Sequence, residues 1–247
     1  MLTAIIQARM TSTRLPGKVL KEVLGKPLLW YQIERLRRVK EIEQIVLATT
    51  TNQDDDSIVE FCKKEGVSVY RGSEDDVLDR YYQAACMYHA DPVMRITADC
   101  PLLDVEVVRT VIEKYRKGDY AYVVTGQNFA EGFDCEIFSF AMLELAWKNA
   151  EKKYEREHCT MFLHNHPELC KKFTLENITD DSTYRVTVDE PQDFEVVKTI
   201  LEALYPVKPE FSGIDVKKFL DSHPDVAALN GMIVRNEGLL KSLATEN

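Results

Sequence analysis

The opening residues constrain this chain most: Leu2 to Ala8 is apolar apart from Thr3 and Gln7, and runs straight into Arg9-Met10-Thr11-Ser12-Thr13-Arg14-Leu15-Pro16-Gly17-Lys18. An unalternating apolar run predicts a strand buried on both faces, as in parallel sheets. Further strand-like runs are expected at Ile45–Thr49, Val67–Tyr70, Val93–Thr97 and Tyr120–Val124, with helical periodicity between them. That alternation predicts an α/β chain whose mostly parallel central sheet is flanked by helices. In the first helix Pro27 suits the first turn, Leu29, Ile33 and Leu36 share the inner face, and Arg35, Arg37 and Arg38 read as solvated surface. Asp54 to Asp56 read as carboxylates at the positive end of the next helix, not as a metal site.

Ligands of open α/β sheets gather where parallel strands end, so the loop after the first strand is the first place to look for chemistry. It holds three hydroxyl residues and three cations, Arg9, Arg14 and Lys18. The hydroxyls and backbone N–H groups can bond phosphate oxygens, Arg14 can pair bidentately, and Lys18 supplies a compact charge. Neither the Walker pattern nor G-x-G-x-x-G occurs in the loop. Ala8, Arg9, Ser12, Arg14 and Lys18 meet A-R-x-x-S-x-R-x-x-x-K, the signature of nucleotidyltransferases that activate sugars. The chain resembles the cytidylyltransferases that make CMP-linked sugar acids, and within them the SpsF-like group. The resemblance covers about residues 2 to 205, with Asn230 and Arg235-Asn236-Glu237-Gly238 also similar to the group's tail. It implies a Rossmann-like nucleotidyltransferase fold of GT-A type.

Asp99, just past the expected fourth strand in Thr97-Ala98-Asp99-Cys100-Pro101, falls at the same sheet edge. Mg²⁺ takes one or two carboxylates together with phosphate oxygens and waters, so one Asp there would suffice; a turn former before Pro101 is the plainer alternative. The resemblance implies a magnesium ligand, although Ala98 stands where many relatives have Gly. Val188-Asp189-Glu190-Pro191-Gln192-Asp193 is similar to the family's D-x-P-x-D element, which makes Asp189 the second metal carboxylate and leaves Asp193 as an alternative or a helix-end stabiliser. Arg185 would then face the phosphate or the acceptor, unless it forms an outward salt bridge.

The segment after the third strand, Arg71-Gly72-Ser73-Glu74-Asp75-Asp76, lies where the family contacts nucleobase and ribose, so Arg71, Ser73 and Arg80 become nucleotide candidates. Capping by Ser73 or Asp75 accounts for many of the same residues. Glu131-Gly132-Phe133-Asp134-Cys135-Glu136 is similar to the acceptor segment, with Asp134 and Glu136 able to accept hydrogen bonds from sugar hydroxyls. Arg156 or His158 would border the acceptor carboxylate, although a lone histidine more often has a bland structural role.

Composition fits these expectations. The net charge of −10 argues against a nucleic-acid partner, so an anionic ligand must be captured locally. The six cysteines never fall in C-x-x-C spacing, which disfavours a zinc or redox pair. No apolar run approaches the roughly 20 residues a membrane span needs, and the first strand begins too early for a signal peptide, so a cytoplasmic enzyme is expected. A nucleotidyltransferase domain over residues 1–205 is expected, with residues 126–170 at the acceptor pocket or a homodimer contact and a helical tail over 206–247. The expected reaction is transfer of CMP from CTP to a sugar acid, nonulosonic or Kdo-like, for surface polysaccharide, with Arg14, Lys18, Asp99 and Asp189 carrying the chemistry and Mg²⁺ as cofactor. A GT-A glycosyltransferase is the runner-up, although Asp99-Cys100-Pro101 lacks Asp-x-Asp; a non-catalytic nucleotide-binding protein is the third reading.

Overall fold

The computed structural model of the chain describes residues 1–245. Its elements in chain order are β1 (Thr3–Gln7), the short pair β2 (Glu22–Val23) and β3 (Lys26–Pro27), α1 (Leu28–Arg37), β4 (Gln44–Thr50), α2 (Asp56–Glu65), β5 (Ser68–Gly72), α3 (Val77–Met87), β6 (Val93–Thr97), α4 (Val105–Lys117), β7 (Tyr122–Thr125) and β8 (Glu136–Phe138). There follow α5 (Phe140–Asn149), α6 (Lys153–Glu157), α7 (Met161–Asn165), β9 (Lys172–Leu175), α8 (Pro191–Leu204), α9 (Gly213–Ser222), α10 (Pro224–Ala228) and α11 (Glu237–Thr245). Seven strands form one sheet in the order β5-β4-β1-β6-β8-β7-β9. All neighbours are parallel except β8, antiparallel to both β6 and β7.

β1 sits inside this sheet, which is why its sequence does not alternate. Ala4 and Ile6 pack with Leu29, Ile33 and Leu36 of α1, Ile58 of α2 and Val108 and Val111 of α4. Ile5 faces the opposite layer, with Leu78 and Tyr81 of α3 and Leu143 of α5. A fully buried aliphatic side chain contributes about 1.5–3 kcal/mol, so the adjacent pair Ile5 and Ile6 ties both helical layers to one strand. A third cluster joins Leu28 and Tyr31 of α1 to Val196, Val197 and Ile200 of α8, and draws in Phe211, Val216 and Leu220, so the segment after Pro206 packs back against α8. Five of the six cysteines are buried and all are free thiols. Among the described residues no helix is long and apolar enough to cross a membrane.

Three expectations need correction. The fifth long strand runs Tyr122–Thr125, beginning two residues later than expected. Arg35 is not surface: it is 3% exposed, its guanidinium donates to the carbonyls of Leu103 (3.4 Å) and Phe211 (3.1 Å), and it stacks 4.1 Å from the Phe211 ring. α1 lies between the sheet and the chain after α8, so it has two inward faces. Burial lowers the Arg35 pKa to about 10, which leaves it charged at neutral pH. Asp55 is also turned inward and caps no helix. It is fully buried and accepts from Thr49 Oγ1 (2.8 Å) and from the Thr50 N–H (3.0 Å) and hydroxyl.

Replacing Arg35 with Met strands two buried carbonyls, so unfolding stability should fall by about 1–3 kcal/mol. Arg37→Met, on the exposed end of the same helix, should cost no more than about 1 kcal/mol. Urea midpoints at constant m-value measure both; equal shifts would show that Arg35 is no internal clamp.

Candidate active site

β1 and β6 lie side by side in parallel, with Gln7 opposite Thr97, and the Ala98 N–H donates to the Gln7 carbonyl at 3.0 Å. The loop after β1 and the turn carrying Asp99 therefore leave the sheet at one edge. The loop is held from several sides. Asp55 accepts from the Met10 N–H at 2.7 Å, Gly17 N–H donates to the Met10 carbonyl at 2.9 Å, and the Thr11 hydroxyl donates to Glu74 at 2.6 Å. Burial alone would raise the Asp55 carboxyl, but donors from Thr50, Met10 and Thr49 outweigh it and hold it below its ordinary value.

The turn bearing Asp99 is joined to the chain bearing Asp189. The Val188 N–H donates to the Asp99 carbonyl at 2.7 Å, and the Thr187 hydroxyl adds a second donor at 3.2 Å. Behind the turn, fully buried Gln32 donates to the carbonyls of Thr97 (2.7 Å) and Cys100 (2.9 Å). Both carboxylates then meet one cation. Lys18 Nζ donates to Asp189 Oδ1 and to the Val188 carbonyl, each at 2.7 Å, and lies 3.7 Å from Asp99 Oδ2. Arg14 pairs with Asp189 at 3.2 Å, Glu190 at 3.3 Å and Glu237 at 2.9 Å. Burial would raise the Asp189 carboxyl, but Lys18, then Arg14 and Arg185, keep it lowered.

Arg14, Lys18, Asp99 and Asp189 thus share one cluster, and Ala8 and Ser12 lie on the same loop. Other candidates are engaged elsewhere. Arg9 pairs with Glu74 at 3.3 Å, and Arg71 donates to the carbonyls of Thr50 and Asn52, both at 2.8 Å, and to Asp56. Ser73 accepts from the Asp76 N–H, while the cap of α3 is Asp76 itself, not Ser73 or Asp75. Arg80 is 2% exposed and donates to the Ser73 carbonyl at 2.7 Å. These side chains hold the backbone of the loops beside the cluster.

Arg185 does not face the crevice as expected. It is buried among Glu131, Asp193 and Asp189, with Nε 2.8 Å from Asp193. Asp193 is fully buried and also accepts from the N–H groups of Asp189 and Glu190, both at 2.9 Å, so it fixes the start of α8 and the backbone under Asp189. Glu136 is likewise enclosed, bonded by Arg95, Tyr122 and Thr160. Burial would raise its pKa, but Arg95 and then His164 lower it. Asp134 accepts from the Gly132 N–H at 3.0 Å and pairs with Arg235; burial raises its pKa against Arg235. Gly132 has φ 109°, and a Cβ there would meet Thr187 N at 2.6 Å, so only glycine lets Glu131 bridge to the N–H groups of Val186 and Thr187. Arg156 pairs with Asp76, and His158 meets Ser242 at 3.1 Å, its pKa lowered by burial. Sequence alone assigns Glu190 and Glu237 no role of their own, although the cationic Arg14 signals that carboxylates gather there.

A mostly parallel sheet with a hydroxyl- and cation-bearing loop at its carboxyl edge, faced by two carboxylate turns, is the frame of a nucleotidyltransferase. Residues 3–206 match the cytidylyltransferase family, and the chain belongs to it; it is a CTP-dependent nucleotidyltransferase. It is 36% identical to the solved structure of a cytidylyltransferase from Leptospira borgpetersenii, with a TM-score of 0.86 and 92% of this chain and 96% of that one covered. It is 32% identical over 232 residues to the spore coat polysaccharide biosynthesis protein SpsF of Bacillus subtilis, covering 90% of this chain and 95% of SpsF. A 3-deoxy-manno-octulosonate cytidylyltransferase of Geobacter metallireducens is 31% identical over 113 residues, covering 45% of this chain and 43% of its own.

Asp193 yields a prediction in acid. Burial would raise its pKa, but Arg185 and the backbone donors lower it below the ordinary 3.8. Its contribution to stability is therefore complete above pH 3.8 and is lost as pH falls through the lowered folded value. Asp193→Asn should be less stable at pH 7 and should flatten the acid limb of the stability profile; an unchanged acid limb would remove Asp193 from that role.

Proposed function

We propose that the chain transfers CMP from CTP to a hydroxyl of a sugar acid, releasing pyrophosphate, in the assembly of a surface polysaccharide. One observation carries this reading: Lys18 brings Asp99 and Asp189 to one point, with Arg14 alongside at the rim of the phosphate loop. The sugar acid follows from the 3-deoxy-manno-octulosonate relative, and the polysaccharide from the process in SpsF's name.

In the reaction the acceptor oxygen forms a bond to the α-phosphorus while the bond to the bridging oxygen breaks. Pyrophosphate leaves with that electron pair, and the hydroxyl proton passes to solvent. Arg14 and Lys18 meet the charge that grows on the leaving group, the interaction that speeds such transfers most. Thr11, Ser12 and Thr13 and the loop N–H groups orient the phosphate chain, and Arg185 and Asp193 keep the Asp189 turn in place behind it.

The donor set suits a hard divalent cation. Among the described residues no cluster of three or more His, Cys, Asp or Glu forms a protein cage. Asp99 and Asp189 nonetheless converge on one cation, and Mg²⁺ asks only one or two carboxylates when phosphate oxygens complete its shell. These two residues would hold Mg²⁺, which when bound would neutralise phosphate oxygens and polarise the α-phosphate.

Pyrophosphate release measured with each of four NTPs against a panel of sugar acids should show turnover with CTP and a sugar acid; equal turnover with all four bases would remove the cytidylyl assignment for this chain. Asp99→Asn should lower turnover by on the order of 10², and Lys18→Ala should lower kcat more than it raises the nucleotide KM. Wild-type rates in folded variants would return Asp99 to a turn former and Lys18 to a structural ion pair.

A further inference from the structure

The cations of the loop after β1 are paired with carboxylates, but on the α3 face of the same sheet edge polar groups stand without partners. Strand alternation puts Gln7 of β1, Arg95 of β6 and Glu136 of β8 on the face that packs Ile5, Val93 and Phe138 against α3. Arg95 lies in register between Ile5 on one side and Glu136 on the other. Its Nη1 donates to Glu136 Oε1 at 2.5 Å. That leaves the Nε–Nη2 edge. Nε is buried with no acceptor, and among the described residues Nη2 has none either, while the side chain stays 20% exposed. On the neighbouring strand the Gln7 amide oxygen is likewise buried without a donor.

Glu136 has no capacity to spare for a ligand. Its Oε1 also accepts from the Thr160 hydroxyl at 3.1 Å, and its Oε2 accepts from the Tyr122 hydroxyl, which in turn meets His164 at 2.8 Å. It is instead a fixture that sets the plane of the Arg95 guanidinium. Among the described residues it is the only carboxylate within 4.0 Å of Arg95. Arg80, in the first turns of α3, is 2% exposed, has no carboxylate at that distance, and its Nε is buried without an acceptor. Two guanidiniums therefore stand against one carboxylate. A buried cation without a counter-ion is costly, and a second carboxylate offers the two parallel acceptors that an Nε–Nη2 edge takes.

We propose that Arg95 anchors the acceptor by its acid group: the carboxylate of the sugar acid pairs with the Nε–Nη2 edge, and the Gln7 amide donates a further hydrogen bond to it. The proposal rests on the reading of the acceptor as a sugar acid. Arg95 precedes Asp99 by four residues, so their Cα atoms lie no more than about 14 Å apart. An acceptor held there by its carboxylate lies on the sheet edge where Lys18 joins Asp99 to Asp189.

The test follows the Arg95 Nε–H resonance in the full chain, assigned by its loss in Arg95→Lys. Pyruvate, a bare carboxylate, and 3-deoxy-manno-octulosonate should shift it, and pyruvamide, of the same size without the charge, should not. Gln7→Leu removes an amide that holds nothing in the fold and should weaken the pyruvate titration about 10-fold, the scale of one hydrogen bond to a charged group. In pyrophosphate release, the same variant should raise the KM of the sugar acid that turns over more than it lowers kcat, and Arg95→Lys, which keeps the charge and loses the fork, should do so more strongly. A resonance that moves with neither carboxylate, or equally with pyruvamide, would overturn the anchor even in a protein that transfers CMP. A carboxylate that titrates Arg95, in a protein that releases no pyrophosphate from CTP, would sustain the anchor while removing the proposed reaction.

Discussion

One ammonium group between two carboxylates holds this site together. Lys18 follows β1, Asp99 follows β6 and Asp189 precedes α8, so three segments far apart in sequence meet at Nζ. Like-charged carboxylates brought that near would repel, and the cation both permits the approach and lowers the Asp189 pKa after burial has pushed it the other way. The backbone reinforces the same junction through the Val188 N–H on the Asp99 carbonyl. Position and charge are thus set by one contact.

Behind that junction lies a group of buried ions with a mechanical task. Arg185 lies among Glu131, Asp189 and Asp193, and Asp193 also accepts two N–H groups at the head of α8. A buried pair of this kind adds little net stability, yet losing one partner leaves an uncompensated charge. Its value is in orientation: the Asp189 turn cannot rotate without leaving a buried guanidinium short of partners. Gln32 does the same for Asp99 with neutral bonds.

Much of this was legible in the sequence. Apolar runs located the strands because a strand covered on both faces must be apolar throughout, and the residues after them, Arg14, Lys18 and Asp99, stood out as polar groups at a ligand edge, whereas Asp189 follows a stretch that forms only an isolated bridge and was marked by the resemblance. Tertiary pairing was not legible. Arg35 looks like one member of a solvated trio until the chain near Phe211 is seen to cover it. Arg185 and Glu136 looked free for a ligand because their partners lie far off in sequence, Glu131 for one and Arg95 and Thr160 for the other. Local pattern tells which residues can do chemistry, and long-range ion pairs decide which are already occupied.

The loop after β1 presents its cations in neutralised form: Arg9 is on Glu74, Arg14 on three carboxylates and Lys18 on two. Such a surface draws no dense cloud of dissolved anions, since its own side chains already act as the counterions. A ligand arriving there trades places with tethered charge, and few mobile ions are released. Its affinity should vary with ionic strength less steeply than a loop of three bare cations would dictate, because exchange inside a partly buried cluster is screened little by salt. For an acidic protein, that is a way to hold a polyanion without a basic surface.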